Sequence, residues 1–319
     1  MVWHVARRLF VCSTGASPSS RPVTRGAAKS PEKTDGSPQK TLLYRPPKPF
    51  FHRQCVVLAD ITPVILTYNE AANIGRSLGR LTWAGQVVIV DSGSTDETLA
   101  IAGRFPNVRT VHRPFDTHAQ QWRFAVEETG ITSDWLLRLD ADYLVEPALR
   151  DEVAALAPAP ATAAYEIAFI YCIDGRPLRA SLYPALPVLF RRGRGRFVQD
   201  GHTEKLRIDG PVERITNRLL HDDRKSLERW LQSQSRYQAQ EAEKLVTRPW
   251  SELSWPDRLR RTRVLGPLAV AVHCLFVKGL IFDGTAGFLY TAQRVTADLI
   301  LSMHLLRRDL DRLMPAKAS

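Results

Sequence analysis

Three short acidic turns hold the residues of this chain that could do chemistry. They are Thr67-Tyr68-Asn69-Glu70, Asp91-Ser92-Gly93-Ser94-Thr95-Asp96 and Asp140-Ala141-Asp142. Each closes an apolar run, the last being the segment WLLRL at 135–139. Positions i and i+2 of a strand share a face, so Asp140 and Asp142 are expected to project to one side. Two like charges that close call for a counter-charge, which a divalent cation holding a diphosphate would supply. Ligands bind at the C-terminal edge of open parallel sheets. A parallel sheet would gather all three turns there.

The elements that must position these turns follow from the pattern of apolar residues. Strands are predicted up to residue 66 and at 86–90, 108–111 and 135–139. Helices are predicted at 71–81, 96–103 and 118–129, the second capped by Asp96. This alternation implies an α/β class with a doubly wound, mainly parallel sheet. Further on, strands at 165–173 and 186–190 are joined through the turn-prone Asp174-Gly175-Arg176-Pro177. A basic cluster of Arg191, Arg192, Arg194 and Arg196 follows; it could hold a diphosphate bidentately or form a solvated hairpin. A polar helix at 226–246 carries Leu227, Trp230, Leu231 and Tyr237 at helical spacing.

Composition narrows the partners. The net charge is +11, but residues 1–55 hold ten Lys or Arg against two acids, Glu32 and Asp35. The rest of the chain carries only about +3, which argues against nucleic acid as a partner. The 1–55 stretch is rich in Ser, Pro and basic residues and is expected to be a disordered tail. Its start, MVWHVARRLFVC, has the acid-poor character of a targeting segment as an alternative. The four cysteines (Cys12, Cys55, Cys172, Cys274) lack metal or disulfide spacing and suit a reducing, cytoplasmic setting. An α/β domain is expected over 56–225 and a helical region over 226–319. There, Trp250, Trp255, Arg258, Arg260, Arg261 and Arg263 precede an apolar run of 14 residues at 264–277. A spanning helix needs about 20 residues. The expectation is a set of amphipathic helices at 250–310 lying on the inner face of the cytoplasmic membrane, the arginines drawn to anionic lipid. A helical subdomain packed on the sheet is the other reading.

TYNE, VDSGSTDET and LDAD in that order resemble the inverting glycosyltransferases of family two, which have the GT-A fold. The likeness is strongest over 61–142. Within the family it is similar to the lipopolysaccharide core β-1,4-glucosyltransferase subgroup, on DGHTEKL at 200–206, Leu219-Leu220-His221, and the run from Lys278 through Gly284 to Gly287-Phe288. The resemblance implies a donor pocket for a UDP-sugar, with UDP-glucose expected. In it Thr67 and Tyr68 border the uracil, Glu70 lies near the nucleotide, Asp91 accepts from uracil N3, and Asp140 holds the ribose or sugar. Asp142 would ligate Mg²⁺ or Mn²⁺, hard cations that take oxygen ligands, and His221 would complete the metal shell. Glu204 would be the base that an inverting displacement needs, with Asp200 its competitor. Gln121 and Arg123 would either face the donor or lie on an exposed helix face. Two departures stand out: Tyr143 follows Asp-Ala-Asp where an acid is usual, and His202-Thr203-Glu204 replaces Val-His-Glu.

The implied acceptor is a hydroxyl of a membrane-held glycan or glycolipid, such as lipopolysaccharide core. Two alternatives share the scaffold. A polyprenyl-phosphate sugar synthase would use a lipid phosphate and need no base. A non-catalytic protein would bind the nucleotide-sugar without turnover. A dinucleotide-binding oxidoreductase is disfavoured, because no GxGxxG follows the first strand.

Overall fold

The computed structural model describes residues 58–200 and 203–313. The tail at 1–55, and His202 of the expected base motif, lie outside the described residues. Strands β1 (Ile61–Thr67), β2 (Val87–Asp91), β3 (Val108–His112) and β4 (Trp135–Asp140) are mutually parallel. They are joined by α1 (Ile74–Gly79), α2 (Thr98–Ala102) and α3 (His118–Glu127). Then come β5 (Tyr143–Leu144), α4 (Pro147–Ala154), β6 (Ala164–Ile167), β7 (Phe169–Ile173), β8 (Arg176–Pro177) and β9 (Leu186–Arg191). The strands end with β10 (Gly195–Asp200), β11 (Thr203–Ile208), β12 (Val212–Arg214) and β13 (Leu219–His221). The main sheet has the order β12-β6-β9-β4-β1-β2-β3, with only β9 antiparallel to its neighbours. A second sheet runs β5-β13-β7-β8, and β10 and β11 form a hairpin.

Alternation along the strands divides the core. Ile61, Ile65, Val87, Ile89, Leu137 and Leu139 pack against α1, α2 and α4. Val64, Val88, Val90 and Leu136 pack on the other face, against Trp122 and Ala125 of α3. Helices on both faces make the sheet doubly wound, as expected. Each fully buried Leu or Ile contributes about 1.5–3 kcal/mol, so this strand parity is strongly enforced.

The single strand expected at 165–173 is two strands. The chain breaks at Ala168, whose carbonyl accepts from Leu219 N (3.0 Å), and changes partner from β9 to β13. Nothing in the apolar run YEIAFIYCI marks that break, because neither half needs a turn residue to leave the first sheet. The change places β13, and with it His221, beside β5 and the acidic turn.

The C-terminal part is helical: α5 (Leu227–Thr247), α6 (Trp255–Arg260), α7 (Leu265–Val272) and α8 (Gly284–Leu313). A π-turn (His273–Val277) and a 3₁₀ turn (Leu280–Asp283) lie between α7 and α8. The helical path bends by 71° there, and among the described residues no single helix is long and apolar enough to cross a membrane. The helices share a core with the second sheet, where Tyr171 and Leu178 meet Val270, Cys274, Leu280 and Tyr290. Arg260, expected at the surface, points inward instead, 3.0 Å from Asp298 and 3.7 Å from Asp257.

Gly287 is the closest point of this packing. A methyl group on it would lie 1.9 Å from Leu280 O and 3.0 Å from Asp283 Cβ. Backbone cannot yield as a side chain tip can, so Gly287→Ala should cost more than about 3 kcal/mol, the upper range for overpacking. A thermal melt of the full chain checks this; an unchanged midpoint would mean that α8 is free to shift away from the 3₁₀ turn.

Candidate active site

The three turns meet on one edge of the main sheet. Thr67 pairs in register with Asp91, and Leu66 with Asp140. Asn69, held at φ 55°, ties the first two together: its Oδ1 accepts from Thr95 N (2.7 Å), and its own N–H donates to Ser94 Oγ (2.7 Å).

Strand parity then sorts the expected nucleotide residues. Thr67 and Asp91 continue the face that packs against α1 and α2, and both are buried. Asp91 is 1% exposed, and its carboxylate accepts from Thr67 Oγ1 (2.9 Å), Gly93 N (2.9 Å), Ser94 N (2.8 Å) and Ser94 Oγ (2.5 Å). With both oxygens committed, it shapes its own turn, and it does not meet the expectation of an acceptor for uracil N3. Thr67 is likewise turned away from the groove. The opposite parity brings out Tyr68, 48% exposed, and Ser92. Both line a cavity of about 840 Å³ with Phe115, His118, Arg236 and Tyr237. Ser92 was missed in the sequence because the acid beside it drew the assignment.

Gln121 is buried and reaches this wall from behind, its Nε2 donating to Ser92 Oγ (2.9 Å). Arg123 lies on the exposed face of α3 near Glu127 (3.8 Å). The arginine cluster lies at the far end of the sheet. Arg191 pairs in register with Trp135, the first residue of β4, and donates to Thr162 O, while Arg192 donates to Ser133 O. Five residues of strand, about 17 Å, separate Arg191 from Asp140, which puts Arg191 and Arg192 out of reach of a diphosphate held there.

The paired aspartates do not stay on one face. The strand ends at Asp140, so alternation stops before Asp142. Asp140 feels the charges of Arg138 and Glu204, and burial together with the Asp142 charge pushes its carboxyl up. Asp142 turns to His221, whose Nε2 lies 3.2 Å from Asp142 Oδ2. Burial opposes the Asp142 charge, but His221 and Lys225 outweigh it and hold the carboxyl at about 2. The same pairing raises His221 against its own burial. Asp142 Oδ1 is buried with no hydrogen-bond partner among the described residues. Two ligands at right angles, each about 2.1 Å from an octahedral cation, stand about 3.0 Å apart. The Asp142–His221 spacing and the orphaned oxygen therefore fit one hard cation, although no third such ligand joins them among the described residues. Tyr143, which stands where an acid is usual, packs its ring 5.1 Å from that of His221.

Around this pair lies a network that the sequence reading missed. Lys225 Nζ bonds Glu70 Oε1 (2.8 Å). Burial pushes Glu70 up, partly offset by Lys225, and the acids raise Lys225 against its burial. Asp222 donates its N–H to Asp142 O (3.0 Å), and its carboxylate accepts from Arg76 Nη1 (2.7 Å) and Gly175 N (2.9 Å). That ties the end of β13 to the acidic turn. The run HDDRK at 221–225, two acids and two cations after a histidine, was its signal.

Glu204 is buried, with Oε1 paired to Arg138, whose guanidinium lies over Trp122 (5.0 Å) and Phe197 (5.7 Å). Its Oε2 is 3.9 Å from His118 Nδ1. Glu204 lines a second cavity, of about 1050 Å³, with Arg207, Arg248, Trp255 and Arg258. It thus stands between the two cavities, since His118 borders the first. Asp200, the competing base, is bound by Lys205 (2.6 Å) and Arg248 (2.7 Å), with Lys244 at 3.8 Å.

Residues 62–208 match the family model for glycosyl transferase family 2. The lipopolysaccharide core biosynthesis glycosyltransferase LpsC of Rhizobium meliloti (strain 1021) is 30% identical over 149 residues, 43% of this chain and 53% of that protein. An uncharacterized glycosyltransferase of Rickettsia bellii (strain RML369-C) is 38% identical over 94 residues, 29% of this chain and 31% of that protein. The matched part is thus about half of the first relative and a third of the second. Residues 1–349 of S. aureus TarS, solved with UDP-GlcNAc, overlie 78% of this chain and 91% of that one at 12% identity and a TM-score of 0.41. The chain carries a family 2 glycosyltransferase domain over the matched residues.

Proposed function

We propose that this protein is a metal-dependent inverting glycosyltransferase. It moves a sugar from a UDP-sugar, UDP-glucose in the first instance, to a hydroxyl of a membrane-held glycan or glycolipid of the lipopolysaccharide core kind. One observation carries the reading: Asp142 has one carboxylate oxygen 3.2 Å from His221 and the other buried without a partner, next to an Asp140 that feels the charges of both Asp142 and Glu204. The relationship to LpsC supports the acceptor class.

In this reading Tyr68 offers its ring to the base, and Ser92 its hydroxyl, with Gln121 fixing the Ser92 oxygen. Asp140 accepts from the ribose or the sugar hydroxyls. Asp142 and His221 would hold Mn²⁺ or Mg²⁺. Bound there, the cation would neutralise charge on the departing diphosphate. Lys225, beside Asp142, adds a fixed positive charge at the same place. Glu204 Oε2 takes the proton of the acceptor hydroxyl as its oxygen attacks the anomeric carbon in line. The bond from that carbon to the diphosphate oxygen breaks, and UDP leaves with the electron pair.

The test is UDP release from UDP-glucose, UDP-galactose and UDP-N-acetylglucosamine, with and without Mn²⁺, followed by mass detection of the product on a core-glycolipid acceptor. Metal-stimulated release and a product one hexose heavier are expected. UDP bound without release from any of the three donors would instead make this a nucleotide-sugar-binding protein.

A further inference from the structure

We infer that the outward face of α7 and the bend that follows it is a docking surface for an anionic lipid bilayer, and that it sets the mouth of the Glu204 cavity against the lipid headgroups. Leu265, Leu268 and Val272 stand at i, i+3 and i+7 on the outward face of α7, and all are exposed. Phe276, four residues on in the π-turn, is exposed too, and so is Phe282 in the 3₁₀ turn that follows, at 75%, with the Arg179 guanidinium 5.2 Å from its ring. A soluble surface seldom gathers so many large apolar side chains in one patch.

The charge around the patch identifies its occupant. Between Asp257 and Asp283 the chain has five Lys or Arg and no acid. Arg260 is turned inward and Arg263 is held by Asp309 (2.8 Å). Arg258, Arg261 and Lys278 have no carboxylate partner among the described residues. Arg258 and Arg261 lie 5.9 and 5.7 Å from the exposed ring of Trp250, the amphipathic arrangement of a membrane interface. A second copy fits poorly, because a two-fold contact would set these unpaired cations against themselves. Anionic headgroups supply the missing charge.

Trp255, 70% exposed, and Arg258 belong both to this flank and to the wall of the Glu204 cavity. A glycan carried on a lipid would enter that cavity from the bilayer side. This last step rests on the transferase reading; the docking surface does not.

The experiment uses the full chain with vesicles of phosphatidylethanolamine and phosphatidylglycerol, and separately of phosphatidylcholine alone. The wild type is expected to float with the first and not the second, and to be released by high salt. The triple variant Leu268→Ser, Phe276→Ser, Phe282→Ser changes exposed positions away from the transfer machinery. It should lose at least about tenfold in vesicle partition, with its melt and its acceptor-independent UDP release unchanged. Equal flotation of variant and wild type would overturn the proposal. So would a wild-type dimer in light scattering that the triple variant dissociates. A wild type that floats but turns over no donor would retain the surface and remove the transferase reading instead.

Discussion

Asp142→Asn is expected to lower sugar transfer by about 10²–10⁴-fold, the several kcal/mol that a cation on a leaving diphosphate contributes. The expectation rests on geometry more than on the Asp-Ala-Asp pattern. Asp142 has one oxygen beside His221 and the other buried without a partner. A folded chain leaves a buried carboxylate oxygen unsatisfied at a cost of about 1–3 kcal/mol, which points to a group the polypeptide does not supply. Asn keeps the shape and removes the charge. His221 then loses the carboxylate that raises it, so the melt should fall by a few degrees, far short of unfolding at assay temperature. A second readout does not depend on turnover: calorimetric Mn²⁺ binding in the presence of UDP should be lost in the variant, while UDP alone still binds beside Tyr68 and Ser92. Turnover within a fewfold of wild type would remove Asp142 from the metal role.

What the sequence made legible followed from repetition. Four apolar strands, each closed by a polar turn, define a parallel sheet and the edge on which Tyr68, Ser92 and Asp140 converge. Less visible was which side of that edge is open. Thr67 and Asp91 differ from Tyr68 and Ser92 by one position, and one position reverses a strand's face. Counting back from Asp140 through Arg138 to Leu136, which packs against Trp122, fixes the open side as that of α3. Tyr68 and Ser92 share that parity. The paired aspartates show the limit of the same rule, since it lapses once the strand ends. Lys225 and Asp222 were hidden for another reason. They meet Glu70 and Arg76 across about 150 residues, and no local pattern records so distant a contact.

Glu204→Gln is expected to reduce kcat by about 10²–10⁴-fold, the usual worth of a positioned general base, with the KM for donor little changed. The variant has a structural cost that must be separated from the chemical one. Arg138 is buried against Trp122 and Phe197 with Glu204 as its counter-ion. Breaking a buried pair from one side costs about 3–5 kcal/mol, less here because the Gln oxygen can still accept from the guanidinium. The double variant Arg138→Gln, Glu204→Gln removes the stranded charge and should recover most of the melt. If Glu204 is the base, the double variant regains stability and stays inactive, because nothing replaces Oε2 as a proton acceptor. If Glu204 only neutralises Arg138, turnover returns along with the melt. A third outcome, full turnover by the single variant, would mean that the acceptor brings its own oxyanion. A lipid phosphate does so, and a sugar hydroxyl does not. The same pair of variants therefore decides what Glu204 does and which of the two acceptor chemistries the cavity between Arg138 and Trp255 admits.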